Sequence, residues 1–289
     1  MKRIFFLGFL LTFFTLVESF AQHRLAMEST DDLVRFFTYV EGKKIISGHR
    51  GTMEQGMPEN SIAAMEAVLA HTPAFFEIDP RYTKDSVIIV HHDATLERTT
   101  TGKGKVADYT YVELQKLKLK DASGNETPYR LNTLDEMIAW AKGKTILNLD
   151  KKDVPLEATA AIIRKHQAYA WVMVTVHNIE QARFFLTQNP KQFLAMHIRT
   201  AEQLEALKAS GLPLSQMLIY IGPKVGEQNK KMYAFFHAAR RMCMLSGSSS
   251  YDKLGTAAER ADMYRAVYAE GATIFESDRP IEVAKAIGE

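Results

Sequence analysis

Residues 145–186, TILNLDKKDVPLEATAAIIRKHQAYAWVMVTVHNIEQARFFL, hold the pattern that decides the fold. A short apolar run at 145–149 is followed by a helical pattern at 156–166, a second run at 171–176 rich in β-branched residues, and another helical pattern at 179–186. Strands separated by helices rather than by tight turns run parallel, because only a long crossover returns the chain to the same end of the sheet.

The same alternation extends in both directions. Short apolar runs begin at Lys44, Phe75, Thr145, Trp171, Phe193, Met217, Met242 and Ala272. Between or around them lie helical patterns at 31–40, 61–70, 134–141, 201–209, 230–240 and 256–270. Eight such units predict an α/β fold, a closed (β/α)8 TIM barrel; an open doubly wound sheet is the alternative. No shift of composition marks a domain boundary, so residues 22–289 read as one barrel domain.

One stretch breaks the rhythm. After the second strand, Arg81-Tyr82-Thr83-Lys84-Asp85-Ser86 leads directly into the apolar 87–90. That link is too short for a crossover, so the chain doubles back as a hairpin. A turn centred between Lys84 and Asp85 opposes Glu77 to His92 and Asp79 to Val90. Polar, glycine-containing residues at about 95–130 then form a small insertion capping one end of the barrel.

Of the 289 residues, 46% are hydrophobic and 24% charged, the balance of a globular protein. The formal charge of +2 comes without a basic stripe, which argues against a nucleic-acid binder. Residues 1–21 differ from the rest: Lys2 and Arg3, about 14 apolar residues, then Ser19-Phe20-Ala21 read as a signal peptide cleaved after Ala21. The run is shorter than the ~20 residues of a spanning helix. Export to the periplasm or medium is therefore expected, with no stable membrane insertion once the leader is gone. The lone Cys243 forms no internal disulfide and reads as an inert core thiol.

In a barrel of this kind, chemistry gathers at the carboxyl ends of the strands. Here the first strand ends in His49-Arg50-Gly51, the second in Glu77-Ile78-Asp79 and the third in Asp150-Lys151-Lys152, while the hairpin return ends in His91-His92-Asp93. Glu77 and Asp79, two residues apart on a strand, share a face and converge on one cation, with Asp150 as a third ligand. Hard oxygen donors suit Mg²⁺ or Ca²⁺. His49 and His92 form an acid/base pair beside that site, and the hairpin register selects His92 over His91. Arg50 and Lys152 supply positive charge for a phosphate diester. His177 and His197, near later strand ends, line the pocket, and the serine-rich 246–250 loop is a further candidate.

Taken in order, these motifs resemble the glycerophosphodiester phosphodiesterase family. The resemblance rests on Gly48-His49-Arg50-Gly51, Pro58-Glu59-Asn60-Ser61, Phe76-Glu77-Ile78-Asp79, Thr83-Lys84-Asp85, His92-Asp93-Ala94-Thr95-Leu96-Glu97-Arg98-Thr99, Thr133-Leu134-Asp135-Glu136 and Ser277-Asp278-Arg279-Pro280. It implies hydrolysis of glycerophosphodiesters to glycerol 3-phosphate and an alcohol with a divalent cation, His49 and His92 as acid and base, Glu77 and Asp79 as metal ligands, and Arg50 on phosphate. Glu59 and Asn60 would support the first loop, with Glu59 near the metal.

Two departures from the family pattern stand out. Asp150-Lys151-Lys152 replaces Glu-x-Lys, which leaves direct or water-mediated metal contact by Asp150 open. Leu245-Ser246-Gly247-Ser248-Ser249-Ser250 replaces a Trp-Thr-Val-Asn-like segment, so the alcohol recognised need not be the usual one. The alternatives are a related barrel enzyme acting on phospholipid or inositol phosphodiesters and a catalytically inactive, ligand-binding barrel. The leaving alcohol, the choice of cation, the nucleophile and the oligomeric state are open at this level.

Overall fold

The computed structural model describes residues 23–288; the leader expected at residues 1–21 lies outside them. The strands in chain order are β1 (Ile45–His49), β2 (Phe75–Ile78), β3 (Pro80–Tyr82), β4 (Ile88–Val90), β5 (Leu147–Leu149), β6 (Val172–Val176), β7 (Leu194–His197), β8 (Met217–Gly222), β9 (Cys243–Ser246) and β10 (Ile274–Ser277). Eight of them close a parallel barrel in the order β1, β10, β9, β8, β7, β6, β5, β2, and β3 and β4 form a separate antiparallel hairpin. The expected (β/α)8 architecture is therefore present, and the open-sheet alternative is excluded by the β1–β10 pairing.

The helices are α1 (Thr30–Phe36), α2 (Ile62–Leu69), α3 (Tyr111–Leu114), α4 (Leu134–Ala141), α5 (Leu156–Lys165), α6 (Ile179–Gln188), α7 (Ala201–Ala209), α8 (Glu227–Ala238), α9 (Ala257–Ala269) and α10 (Pro280–Ile287). Several begin on capping boxes, in which a Ser or Thr and the acid or amide three residues on satisfy each other's free amides: Ser29/Asp32, Thr133/Glu136, Thr200/Gln203 and Thr256/Glu259. α10, which is absent from the helical patterns of the sequence given above, starts on Pro280, a residue suited to the first helical turn. Among the described residues no helix is long and apolar enough to cross a membrane.

Side chains alternate along each strand. One set, including Ile46, Phe76, Ile78, Leu147, Val174, Met196, Ile219, Leu245 and Phe275, packs outward in the main core with the helices. The inward set starts apolar at the amino ends: Ile45, Phe75, Ile146, Met173, Ala195, Leu218, Met244 and Ile274 form a second core with Leu33 and Phe37 of the α1 segment. Phe37 plugs this floor, meeting Phe75 edge to face at 5.4 Å and stacking on Phe193 at 5.1 Å.

The hairpin corrects one expectation. Pro80 pairs with Val90, Arg81 with Ile89 and Tyr82 with Ile88, one residue away from the register predicted. Asp79 accordingly faces His91, whose N–H donates to the Asp79 carbonyl at 2.8 Å. The turn has an odd number of loop residues, with Ser86 in the left-handed region at φ 60°. The even turn centred on Lys84-Asp85 assumed in the sequence reading does not form. Between β4 and α4, the insertion folds on a small core of its own: Ile89, Leu96, Val106, Leu114, Leu119 and Leu131.

Candidate active site

The site begins where β1 ends. Gly48 has no room for a side chain, since a Cβ there would lie 2.4 Å from the Gly51 carbonyl and 2.7 Å from the Phe76 ring. The chain can therefore fold tightly over β2. Arg50 (φ 57°) and Asn60 (φ 58°) both adopt the left-handed region, uncommon for residues with side chains. Each is held there: the Arg50 N–H donates to the Glu77 carbonyl at 3.0 Å, and the Asn60 N–H to the Arg50 carbonyl at 2.7 Å. The Asn60 side chain then grips Asp79 twice, donating from Nδ2 to Oδ2 at 2.7 Å and accepting the Asp79 N–H at 3.1 Å. The 58–61 motif thus fixes the orientation of a carboxylate at the end of β2.

Glu77, Asp79 and Asp150 each place a carboxylate oxygen within 4.8 Å of the others. Glu77 Oε2 and Asp79 Oδ1 are buried and without a hydrogen bond, although Lys152 Nζ stands 3.0 Å from the latter as an ion pair. Burial, together with Asp79, Asp150 and Glu276, pushes the Glu77 carboxyl well above its usual range. Burial works in the same direction at Asp79, but Lys152, Arg50 and the Asn60 hydrogen bond outweigh it and hold this group low. Asp150 is likewise held low against its burial, chiefly by His177 and Lys152. Three converging carboxylate oxygens, one of them on a buried and crowded glutamate, could hold a metal cation. Arg50 and Lys152, the two expected phosphate-binding cations, edge this cluster: Arg50 spans Asp79 (3.3 Å) and Glu59 (3.2 Å), and Lys152 spans Asp79 (3.0 Å) and Asp150 (2.6 Å).

Both histidines are tied to aspartates. His49 Nδ1 lies 2.6 Å from Asp278 Oδ1, and His92 Nδ1 lies 2.7 Å from Asp93 Oδ1. An ionised carboxylate only accepts, so each contact puts a proton on Nδ1 and leaves Nε2 outside the aspartate contact. His49 Nε2 stands 3.9 Å from Glu77. Burial disfavours the charged form of His49, but Asp278 and Glu276 more than compensate and raise its pKa. His91 is 2% exposed and bonded to the Thr95 carbonyl at 3.0 Å, a structural role. The register that favours His92 over His91 does not form: the strand ends at Val90, so alternation does not govern the next two residues, and the charge of His92 still helps to hold the Asp79 carboxyl low.

Several further residues complete the site. Arg98 joins Glu59, at 2.7 and 2.8 Å, to Asp93, at 2.7 and 3.0 Å. Glu59 is therefore occupied by two arginines and stands outside the carboxylate cluster. Asp278 is itself placed by Asp252, a buried carboxylate that accepts the Asp278 N–H (2.7 Å), the Ser277 hydroxyl (2.8 Å) and the Tyr264 hydroxyl (2.7 Å). Glu276 ends the inward face of β10, and the strand-end rule that singled out Glu77 applies equally to it.

Beside the carboxylates opens a cavity of about 240 Å³ whose lining includes His49, Glu77, Asp150, His177, His197, Arg199, Tyr220, Ser246, Ser248 and Glu276. The two histidines and the serine loop expected at the pocket are among its walls.

Residues 49–216 match the model of the glycerophosphoryl diester phosphodiesterase family. A glycerophosphodiester phosphodiesterase of Caldanaerobacter subterraneus subsp. tengcongensis is 40% identical over 75 residues, 26% of this chain and 30% of that protein. The chain therefore spans less than a third of that curated relative in the match. The crystal structure of a glycerophosphoryl diester phosphodiesterase from Parabacteroides distasonis ATCC 8503 superposes with a TM-score of 0.91 at 48% identity, over 92% of this chain and 94% of that one. An Oleispira antarctica phosphodiesterase, solved with the product sn-glycerol-3-phosphate, shares the fold at a TM-score of 0.65 and 18% identity, over 89% of this chain and 99% of its own.

Proposed function

Because the chain belongs to the glycerophosphoryl diester phosphodiesterase family, we propose that it hydrolyses glycerophosphodiesters to glycerol 3-phosphate and an alcohol, using a divalent cation held by Glu77, Asp79 and Asp150. The observation that carries this reading is the pairing of two aspartate-tethered histidines with three converging carboxylates, Glu77 and Asp79 buried and Asp150 half-buried. The product bound to the Oleispira fold relative, sn-glycerol-3-phosphate, is a product of the same reaction.

A bound divalent cation would draw negative charge from a phosphoryl oxygen and lower the proton affinity of an attacking hydroxyl. The protein's own groups supply the rest. One of His49 and His92 accepts the proton of the attacking hydroxyl at Nε2, and the other donates a proton to the departing alkoxide. Asp278 and Asp93 hold the rings in a single orientation and tautomer. Arg50 and Lys152 offset charge spreading over the non-bridging oxygens. The attacking hydroxyl is water or the substrate's glycerol 2-hydroxyl. A diester with no vicinal hydroxyl distinguishes them, since undiminished turnover excludes the internal route.

The test is hydrolysis of a glycerophosphodiester panel with Mg²⁺, with Ca²⁺ and with a chelator. His49→Ala is expected to lose at least about 100-fold in rate. Absent hydrolysis would instead favour a binding module, and hydrolysis undiminished by the chelator would remove the cation from the reading. The leader-like residues 1–21 support action outside the cytoplasm, in the periplasm or medium, for which N-terminal sequencing should find a chain starting at Gln22.

A further inference from the structure

The cavity has a second pole, reached from Asp150 through His177, that the proposed chemistry does not use. His177 Nε2 stands 3.6 Å from Asp150, and the His177 ring meets His197 edge to face at 4.5 Å. His197 in turn lies against Tyr220 at 4.3 Å. Arg199 completes this wall: its guanidinium sits 5.0 Å above the Tyr220 ring and donates to His197 Nδ1 at 2.9 Å. Burial, His177 and Arg199 push the His197 pKa down to about 3, so its Nδ1 remains an acceptor.

Arg199 differs from the other cations of the mouth. Arg50 and Lys152 are each neutralised by two carboxylates. Among the described residues, no carboxylate lies within ion-pair distance of Arg199, which is instead aligned by an aromatic face and a neutral imidazole. A guanidinium held in this way keeps its outward donors for a planar or tetrahedral anion. The hydroxyls of Ser246 and Ser248, 3.1 Å apart, line the same cavity and add neutral hydrogen-bonding capacity.

Resting on the diesterase reading, we infer that Arg199 is a specificity residue that selects glycerophosphodiesters whose alcohol portion carries an anionic group of its own, a carboxylate or a second phosphate. A cationic or neutral headgroup would leave that guanidinium without a partner. The reacting phosphate is served by the separate cluster at Arg50 and Lys152.

Matched substrate pairs test this. Glycerophosphoserine and glycerophosphoethanolamine differ by one carboxylate; glycerophosphoglycerol with and without a terminal phosphate differ by one phosphate. The protein, loaded with Mg²⁺ or Ca²⁺, is expected to favour the anionic member of at least one pair by about tenfold in kcat/KM, the scale of one charge-assisted hydrogen bond. The pair that shows it identifies the anion. Arg199→Gln should abolish the preference while sparing the member that lacks the anion, and Arg199→Lys should retain part of it. Equal rates within both pairs in the unaltered protein would overturn the inference and leave the diesterase intact. So would an equal loss on all four substrates in Arg199→Gln, which would assign Arg199 to the shared phosphoglycerol part. No hydrolysis of any of the four would instead remove the diesterase reading on which the inference rests.

Discussion

The floor and the mouth of the barrel are built from the same strands, and along seven of the eight they are only two residues apart. Phe75 is followed inward by Glu77, Ile146 by Asn148, Met173 by Thr175, Ala195 by His197, Leu218 by Tyr220, Met244 by Ser246 and Ile274 by Glu276. The first of each pair packs against the α1 segment, and the second lines the cavity. The barrel therefore carries its stability and its chemistry in adjacent layers. The outward-facing core with the helices is shared by both ends. The floor gains from burial, whereas the mouth crowds like charges and leaves the buried Glu77 Oε2 without a hydrogen bond, so what the mouth can bind is set against what it contributes to folding.

Breaking the floor should have the largest effect. Phe37→Ala removes the plug from a 0% exposed site and should destabilise the protein by about 3–5 kcal/mol in urea unfolding. At temperatures where the variant is folded, its kcat should stay within about twofold of the parent; a kcat collapse in the folded variant would show the two layers to be coupled. The mouth should behave in the opposite way. Glu77→Gln is expected to lower diesterase activity by about 100-fold or more while raising the melting temperature of the metal-free protein, because the repulsion from Asp79 and Asp150 disappears. A lower melting temperature would mean that the glutamate is a net structural support.

Asp278→Asn sharpens the picture within the mouth. Loss of the carboxylate on His49 Nδ1 should cost about 10- to 100-fold in kcat with little change in KM, as read from steady-state kinetics. An altered KM with an unchanged kcat would place Asp278 in substrate binding instead. A further effect should be in stability against pH. The folded pKa of His197, about 3, lies below the ordinary 6.5, so between these values the unfolded chain binds the extra proton. Stability should therefore fall as pH drops from about 6.5 toward 3. His197→Asn should flatten that part of a melting-temperature profile; an identical slope would assign the acid loss to other groups.

Much of this arrangement is legible in the sequence because it is local. Each of the eight strand segments, as at 171–176, carries apolar residues facing the helices, and the strand-end rule points to His49, Glu77, Asp79 and Asp150 without three-dimensional information. All four lie at the one mouth, as do Arg50, Lys152 and His92. The hairpin register was not legible, since it turns on Ser86 adopting a left-handed backbone, a choice no polar residue announces. Asp278 and Arg98 escaped for another reason. Their partners, His49 and Glu59, are 229 and 39 residues away in the chain, and only the closed barrel and the folded insertion bring them into contact.

That 229-residue separation bears on how the protein comes to life. The His49–Asp278 contact spans the β1–β10 seam, the last place where a chain made from its amino end can zip shut. Contacts between distant parts of a chain form late, because the intervening loop must first be ordered. A ribosome-bound or half-refolded chain can hold its carboxylate cluster from β2 and β5 with the tether on His49 still missing. In a refolding time course, recovery of turnover should thus track seam closure and trail the return of helical signal, which makes catalysis a built-in reporter that the ring is complete.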